Sequence, residues 1–533
     1  MKKRIISVLM ALIITLTALT GKILKIINTS EIASTESHIR VKELDVKRGN
    51  IYDRNGKLLV NTETEILTGF IPSNESAVAV KKLKGTEFAK ETILKGYFTC
   101  FLTEENMLIA ESENIKNFNI YKRYPDNTAL HILGYCNNEQ VGVCGVEKYF
   151  NEEISALNGK LSVSYSADAL GRMLISDGIE IRNDEYYSPK GISLTIDKKI
   201  QTIVENALIN GNITKGAAVV LEAKTSAILA CASAPTYERD NIEGYLNNED
   251  SPFLNRALCA FPVGSVFKAI TAAAAIESGV ELKSYICSGS IEKSGNIFNC
   301  NKEDGHGKID LTSALALSCN PYFIELSTQT DSENLLSMSK KFGFSKATDL
   351  GNGFLTDSGI LPTSEELNSN AAIGNFGFGQ GKFTATPLQI AAAYAVFANE
   401  GTYNEPYLLS GEVNSNGAFL PKGHTRGKSI LKKSTCKTIS SALLETTLSG
   451  TGKGAYSSLF NACTKTATAQ SGQYNENGTE IKYCWFVGYF PYENPEYVVC
   501  ILKENGSSGG TDGAPVFKEI SEKIYIEDLK SFY

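Results

Sequence analysis

Residues 260–279 read AFPVGSVFKAITAAAAIESG, and no other stretch of the 533-residue chain restricts the fold as much. The alanine-rich run from Ala269 to Ala275 is strong helix-forming sequence. Pro262 and Gly264 mark a turn ahead of it, and Ser278-Gly279 supplies a stop. A helix this apolar is buried, yet Ser265 and Lys268 stand three apart at its head. Residues i and i+3 share a helix face, so the lysine amine hangs beside the serine hydroxyl. Burial lowers a lysine pKa and turns the amine into a base. A serine cap beside a surface lysine is the plain alternative for an isolated S-x-x-K, and the rest of the chain must decide.

Bulk properties set the class. The chain carries 52 Lys+Arg against 59 Asp+Glu, a net charge of −7, with 42% hydrophobic residues. This is a folded composition with no basic stripe for nucleic acid. At the N-terminus Lys2, Lys3 and Arg4 precede an uncharged run from Ile5 to Gly21, followed by Lys22 and Lys25. Positive charge ahead of an apolar run keeps that end in the cytoplasm and sends the remainder outward. The expected order is a cytoplasmic tail over 1–4, a retained signal-anchor over 5–25 and an extracytoplasmic remainder. A cleaved signal peptide is the alternative, and Ala18-Leu19-Thr20 makes a poor cleavage site for it.

Two further zones follow the anchor. Residues 26–187 are mixed, with short alternating segments and glycine turns. Among them VKRGNIYDRNGKLLV (46–60) reads as two strands about Asn55-Gly56. A break at Tyr187-Ser188-Pro189-Lys190-Gly191 leads to a second domain over 192–530. There Asp197 caps an amphipathic helix, and GAAVVLEAKTSAILACAS (216–233) reads as two apolar strands. Helical segments such as TPLQIAAAYAVFANEG (386–401) fill the middle. CTKTATAQ (463–470), KYCWFVGYFP (482–491) and EYVVCILKEN (496–505) return to strands. Strands at both ends with helices between predict an α+β domain whose antiparallel sheet is closed by its own ends and flanked by helices.

Two more pieces join Ser265 and Lys268. ALSCNPYF (316–323) carries Ser318 and Asn320 two apart, and TKTATAQ carries Lys465-Thr466. Each is weak alone; their order S-x-x-K, S-x-N, K-T within one domain is not. With them the chain resembles the class B penicillin-binding proteins, peptidoglycan D,D-transpeptidases, whose signature is S-x-x-K with S-D-N and K-T-G. RGNIYDRNGKLL, RYP, GVEKYF and DALGR resemble the family's N-terminal pedestal (dimerisation-type) motifs. NRA (255–257), GQG (379–381), TPLQIA and WFVGYFP resemble its transpeptidase domain.

The resemblance implies roles. Ser265 attacks the carbonyl of the penultimate D-Ala of a stem peptide and Lys268 accepts its proton. Ser318 relays a proton to the leaving amine, and Asn320 binds the substrate amide and positions Lys268. Lys465 supplies charge, and Thr466 a hydroxyl, for the substrate carboxylate. The backbone N–H groups of Ser265 and Thr468 form the oxyanion hole. Penicillin imitates the substrate and stays attached. The family also implies a membrane glycosyltransferase partner, and no cofactor. One residue departs from the pattern: Ala467 stands where the family has glycine, on the strand face that meets the serine-bearing helix.

Other readings fit these residues less well. A Ser-His-Asp hydrolase needs a histidine, and His306 in DGHGK is the only one near, with no G-x-S-x-G elbow. GTGKGA (450–455) lacks phosphate-loop spacing and reads as a turn. The rival of another class is a catalytically weak scaffold subunit of a cell-wall complex. Twelve cysteines show no C-x-x-C pair and no grouping with the four histidines along the chain, so no metal is expected. Three readings stay open for Cys287, Cys300 and Cys319: separate buried thiols, a Cys287–Cys300 staple, or a Cys300–Cys319 disulfide whose reduction frees the Ser318 loop.

Overall fold

The computed structural model of the chain describes residues 2–33, 38–474 and 477–531. Lys2–Ala33 is one helix, and its segment Val8–Lys25 is long and apolar enough to cross a membrane. Within it Thr15, Thr17 and Thr20 return their hydroxyls to carbonyls of the preceding turn, which removes polar groups a bilayer could not satisfy.

The chain divides into two compact units. One comprises Met1–Arg48, Asn61–Arg123 and Asn158–Ser188. It holds two three-stranded sheets, His38–Lys47 with Gly159–Ala167 and Glu180–Asp184, and Thr99–Thr103 with Glu63–Phe70 and Ile115–Lys122. Leu67, Phe98, Phe118, Leu161, Val163 and Tyr186 form its core. The other unit comprises Gly49–Val60, Tyr124–Leu157 and Pro189–Tyr533.

The sequence reading puts all of 26–187 into one zone, but the chain enters the second unit twice before Ser188. The reason lies in strand partners and packing. Asn50–Tyr52 pairs parallel to Gly191–Leu194, and Val146, Phe150 and Ile154 are buried in the second unit's core. The Asn55-Gly56 segment accordingly forms a turn with a single Tyr52–Leu58 bridge rather than a two-stranded hairpin. Tertiary pairing with Gly191–Leu194 has taken the first strand.

The second unit is built on five antiparallel strands: β1 (Gly216–Glu222), β2 (Ile228–Ala234), β3 (Cys463–Tyr474), β4 (Glu480–Phe490) and β5 (Tyr497–Glu504). Their order is β2-β1-β5-β4-β3, so strands from the two ends of the domain meet at β1–β5, as the α+β expectation requires. Alternation assigns the faces. Ala218, Val220, Phe486, Val499 and Ile501 pack with Val204 and Leu208 of one helix and Val516, Phe517 and Ile520 of another. Ala217, Val219, Trp485, Val487, Cys500 and Leu502 point the other way, into the larger core.

That larger core contains α1 (Lys268–Glu277), α2 (Asn320–Thr330) and α3 (Pro387–Ala398). Every residue of α3 is buried, and a Thr386–Gln389 capping box starts it. In α1 every residue from Lys268 to Ala275 is buried. β3 is one of the sheet's two edge strands, the other being β2.

Candidate active site

Ser265 lies on a short 3₁₀ turn, Gly264–Phe267, that leads into α1. Three elements fix this turn. Phe261–Pro262 pairs with Thr384–Ala385, Trp485 Nε1 of β4 donates to Pro262 O at 2.8 Å, and Tyr394 of α3 donates to Val266 O at 2.9 Å. A fourth contact ties it to the GQG segment: Gly264 N–H donates to Gly379 O at 2.8 Å. A Cβ at Gly379 would stand 2.0 Å from Gly264 O, and φ there is +86°, so only glycine fits.

The three motifs converge. Ser265, Ser318, Asn320, Thr466, Ala467 and Thr468 all line one cleft of about 680 Å³. Lys268 and Lys465 are fully buried and sit behind that wall rather than in it. Lys268 Nζ donates to Ser318 O at 2.7 Å and to Asn320 Oδ1 at 2.7 Å, and lies 3.2 Å from Ser318 Oγ. None of these bonds reaches Ser265, so the lysine is held by the Ser318–Asn320 segment instead of resting against the serine. Lys465 Nζ donates to Ser318 Oγ at 3.0 Å and to Thr466 O at 3.0 Å.

Both lysines therefore converge on one hydroxyl, Ser318 Oγ. Burial pushes the Lys268 amine down to about 7. Lys465 is lowered well below the ordinary lysine value, by burial first and by the neighbouring Lys268 charge second. Burial and mutual repulsion both disfavour two ammonium groups here, while the Cys319 and Cys300 thiols nearby oppose that shift at Lys268. The balance favours a neutral amine, which is what a base needs.

Ser318 itself is strained. It is buried, with φ +56°, a left-handed conformation that costs a non-glycine residue about 1–3 kcal/mol. The surroundings hold it there through three links between segments. Asn301 Nδ2 donates to Leu317 O, and Asn320 Nδ2 donates to Asn299 O, each at 3.0 Å. Lys268 holds the Ser318 carbonyl. Asn320 thus spends both ends of its amide inside the protein and keeps one N–H for a ligand.

On the opposite wall the Ala467 methyl meets the backbone of Gly264. A Cβ built on Gly264 would lie 3.4 Å from Ala467 Cβ and 3.1 Å from Ala469 Cβ. The missing side chain at 264 leaves room for the methyl that the K-T-A sequence adds. Thr466 Oγ1 and Thr451 Oγ1 are 2.7 Å apart, and Lys453 is an exposed cation on the same rim. Thr451, Lys453 and the Gly509–Thr511 loop line the cleft but were not singled out from sequence. The only signal for the first two was GTGKGA, read there as a turn.

The sequence showed no cysteine grouped with a histidine, and here the fold corrects it. Cys287, Cys300, His306 and Cys319 place their ligand atoms all within 4.8 Å of one another. All twelve cysteines are free thiols. The separation of these four along the chain conceals a neighbourhood created by folding.

Comparison with known proteins identifies the domain that carries this site. Residues 216–522 match the penicillin binding protein transpeptidase domain. The chain is 28% identical over 529 residues to stage V sporulation protein D of Bacillus subtilis, covering 91% of this chain and 79% of that one. It is 26% identical over 588 residues to peptidoglycan D,D-transpeptidase MrdA of Haemophilus influenzae, covering 94% and 87%. Its fold is similar to the D,D-transpeptidase domain of a peptidoglycan glycosyltransferase from Eggerthella lenta, with TM-score 0.65 and 24% identity, covering 90% of this chain and 99% of that one. With the transpeptidase domain matching more than half of the chain and an apolar helix ahead of it, the chain belongs to the class B penicillin-binding proteins.

Proposed function

We propose that this chain is a serine D,D-transpeptidase that cross-links peptidoglycan stem peptides and is acylated by penicillin. The observation that carries the reading is the convergence of Ser265, Ser318, Asn320 and Thr466–Thr468 on one cleft, with the depressed Lys268 and Lys465 behind it. A stem peptide lies along the edge of β3 as an added strand, with its terminal carboxylate toward Thr466, Thr451 and Lys453. That carboxylate favours the charged form of the nearer buried lysine, Lys465, and leaves Lys268 as the neutral amine.

Ser265 Oγ then forms a bond to the carbonyl carbon of the penultimate D-Ala, and its proton passes to Lys268. The oxyanion is held by the N–H groups of Ser265 and Thr468. Collapse breaks the C–N bond, and the leaving amine takes a proton through Ser318 Oγ, which touches both lysines. The acyl-enzyme is released by the amine of a neighbouring stem peptide, whose proton returns by the same path. With penicillin the leaving nitrogen stays tethered, and the ester persists.

The 1–4 tail, the anchor and the positive N-terminal flank support a single-pass protein with its catalytic unit on the outer side of a bacterial cell membrane. A membrane glycosyltransferase supplies the glycan strands in this reading. The test is a tagged penicillin incubated with the protein. A stable adduct is expected on the peptide containing Ser265, and Ser265→Ala removes it with little change in melting temperature. An adduct that survives in the alanine variant contradicts the assignment.

A further inference from the structure

The structure assigns a second site, behind the active-site wall: we propose that Cys287, Cys300, His306 and Cys319 bind one zinc ion, which holds the Ser318–Asn320 segment in its strained conformation. The donor atoms come from four separate pieces of chain. Cys287 ends the strand Tyr285–Cys287, and Cys300 follows the hairpin strand Asn296–Asn299. His306 precedes the strand Gly307–Ile309, and Cys319 is the residue just before α2. The three cysteines are buried and the histidine is half-buried.

Two of the donor separations are those of an ion's coordination shell, and all four donor atoms lie within 4.8 Å of one another. Cys300 and Cys319 sulfurs are 3.9 Å apart, and Cys300 Sγ is 3.4 Å from His306 Nδ1. Tetrahedral zinc, with Zn–S about 2.3 Å and Zn–N about 2.0 Å, sets S···S at about 3.8 Å and S···N at about 3.5 Å. Three thiolates and one imidazole are a soft donor set that suits zinc over hard cations. Four protein ligands close the shell, so the ion is structural and leaves no open position for chemistry. On binding, each of the three thiols gives up its proton to solvent.

Backbone geometry supports a built site. Gly305 has φ +75°, and a Cβ there would stand 2.1 Å from Cys287 O, so the loop carrying His306 folds directly onto the Cys287 strand. Cys300 N–H donates to Gly289 O at 2.8 Å, which fixes the other arm. The position relative to the cleft gives the site its consequence. Cys319 stands between Ser318 and Asn320, while Cys300 stands between Asn299 and Asn301. Those two segments already exchange the Asn320–Asn299 and Asn301–Leu317 hydrogen bonds. A metal joining Cys300 to Cys319 locks the same two segments from behind, and with them the acceptors of Lys268. This reverses the sign of the redox reading: a Cys300–Cys319 disulfide would use up two ligands, so reduction preserves the site instead of releasing a brake.

The metal claim does not rest on the transpeptidase reading, whereas its effect on acylation does. Full-length protein in detergent is purified without added chelator, and its zinc is measured by elemental analysis after dialysis. About one zinc per chain is expected. Cobalt in its place should give an intense thiolate-to-cobalt charge-transfer band and the strong visible absorption of a tetrahedral site. This spectrum is read on the unaltered protein and does not depend on any variant folding. Cys287→Ser and His306→Ala should weaken zinc binding at least tenfold. His306→Cys, which supplies a fourth thiolate, should restore it, a rescue that a packing role does not produce. Removing zinc should slow penicillin acylation about tenfold or more, and adding it back should restore the rate.

Protein that takes up no zinc when it is supplied, shows no tetrahedral cobalt spectrum, or maps as a Cys300–Cys319 disulfide overturns the site. Zinc content unchanged in both Cys287→Ser and His306→Ala overturns the ligand set. Acylation indifferent to zinc removal overturns the positioning role. A zinc-loaded protein that never takes up penicillin counts instead against the proposed function.

Discussion

At the scale of single residues, Lys268 carries the sharpest expectation. Its amine is pushed down to about 7 by burial, so it is neutral above that pH and protonated below it. Acylation by penicillin should therefore fall as pH drops through about 7 and level off above it. Stopped-flow acylation across that range checks this, and a rate that rises toward acid removes Lys268 as the base. Lys268→Arg keeps the charge but cannot give up its proton, and should cost at least about 10²-fold in acylation rate. Ser265, Lys268, Ser318, Asn320 and Lys465 were all legible because residue type and order survive in the sequence. What was illegible is how they are wired. Neither the attachment of Lys268 to Ser318 O nor the left-handed backbone at Ser318 has a local signature, since serine is not a residue that announces φ +56°.

Between elements, the contact of β3 with the serine-bearing turn decides how the K-T-A sequence works. Ala467→Gly should leave the fold intact at a stability cost of about 0.5–1 kcal/mol, the usual price of a strand glycine. It also opens space against Gly264, so acylation by bulky β-lactams should change more than by small ones. Gly264→Ala is the opposite experiment. Its methyl would press on Ala467 and Ala469 at a position with φ +69°, and both stability and acylation should fall, by more than about 1 kcal/mol in thermal unfolding. Unfolding and acylation measured together on the two variants separate the readings. Equal rates for every drug in Ala467→Gly show that the methyl is already accommodated. The strands and α3 were readable from their apolar runs. The fate of Asn50–Tyr52 was not, because its partner lies at Gly191–Leu194 and nothing beside it in sequence reveals that. The cysteine cluster escaped for the same reason. Cys287, Cys300, His306 and Cys319 are too widely spaced to resemble a zinc motif, and only the hairpin and α2 bring them together.

Across the whole molecule, the catalytic unit is discontinuous. A chain beginning at Pro189 lacks Ile51, Val60, Ile132, Phe150 and Ile154, all buried in the core that surrounds α1 and α3. Each such loss costs about 2–5 kcal/mol against a total stability of about 5–15 kcal/mol. The fragment 189–531 should be digested by protease and take up no penicillin, whereas 38–531 should resist protease and take up penicillin; soluble, penicillin-reactive 189–531 would show that the earlier passes are ornaments to the core. The sheet itself extends the point. β1 has β2 on one flank, but its other flank is closed only by β5, near the far end of the sequence. A ribosome delivers the chain N-terminus first, so β1 waits unpaired on that side while almost everything else is made. The lysines behind Ser265 are dry only once the sheet and its helices have closed, and until then they keep the ordinary basicity of a wetted amine. The nascent protein therefore carries a harmless serine, and its reactivity is switched on by the last strands to arrive.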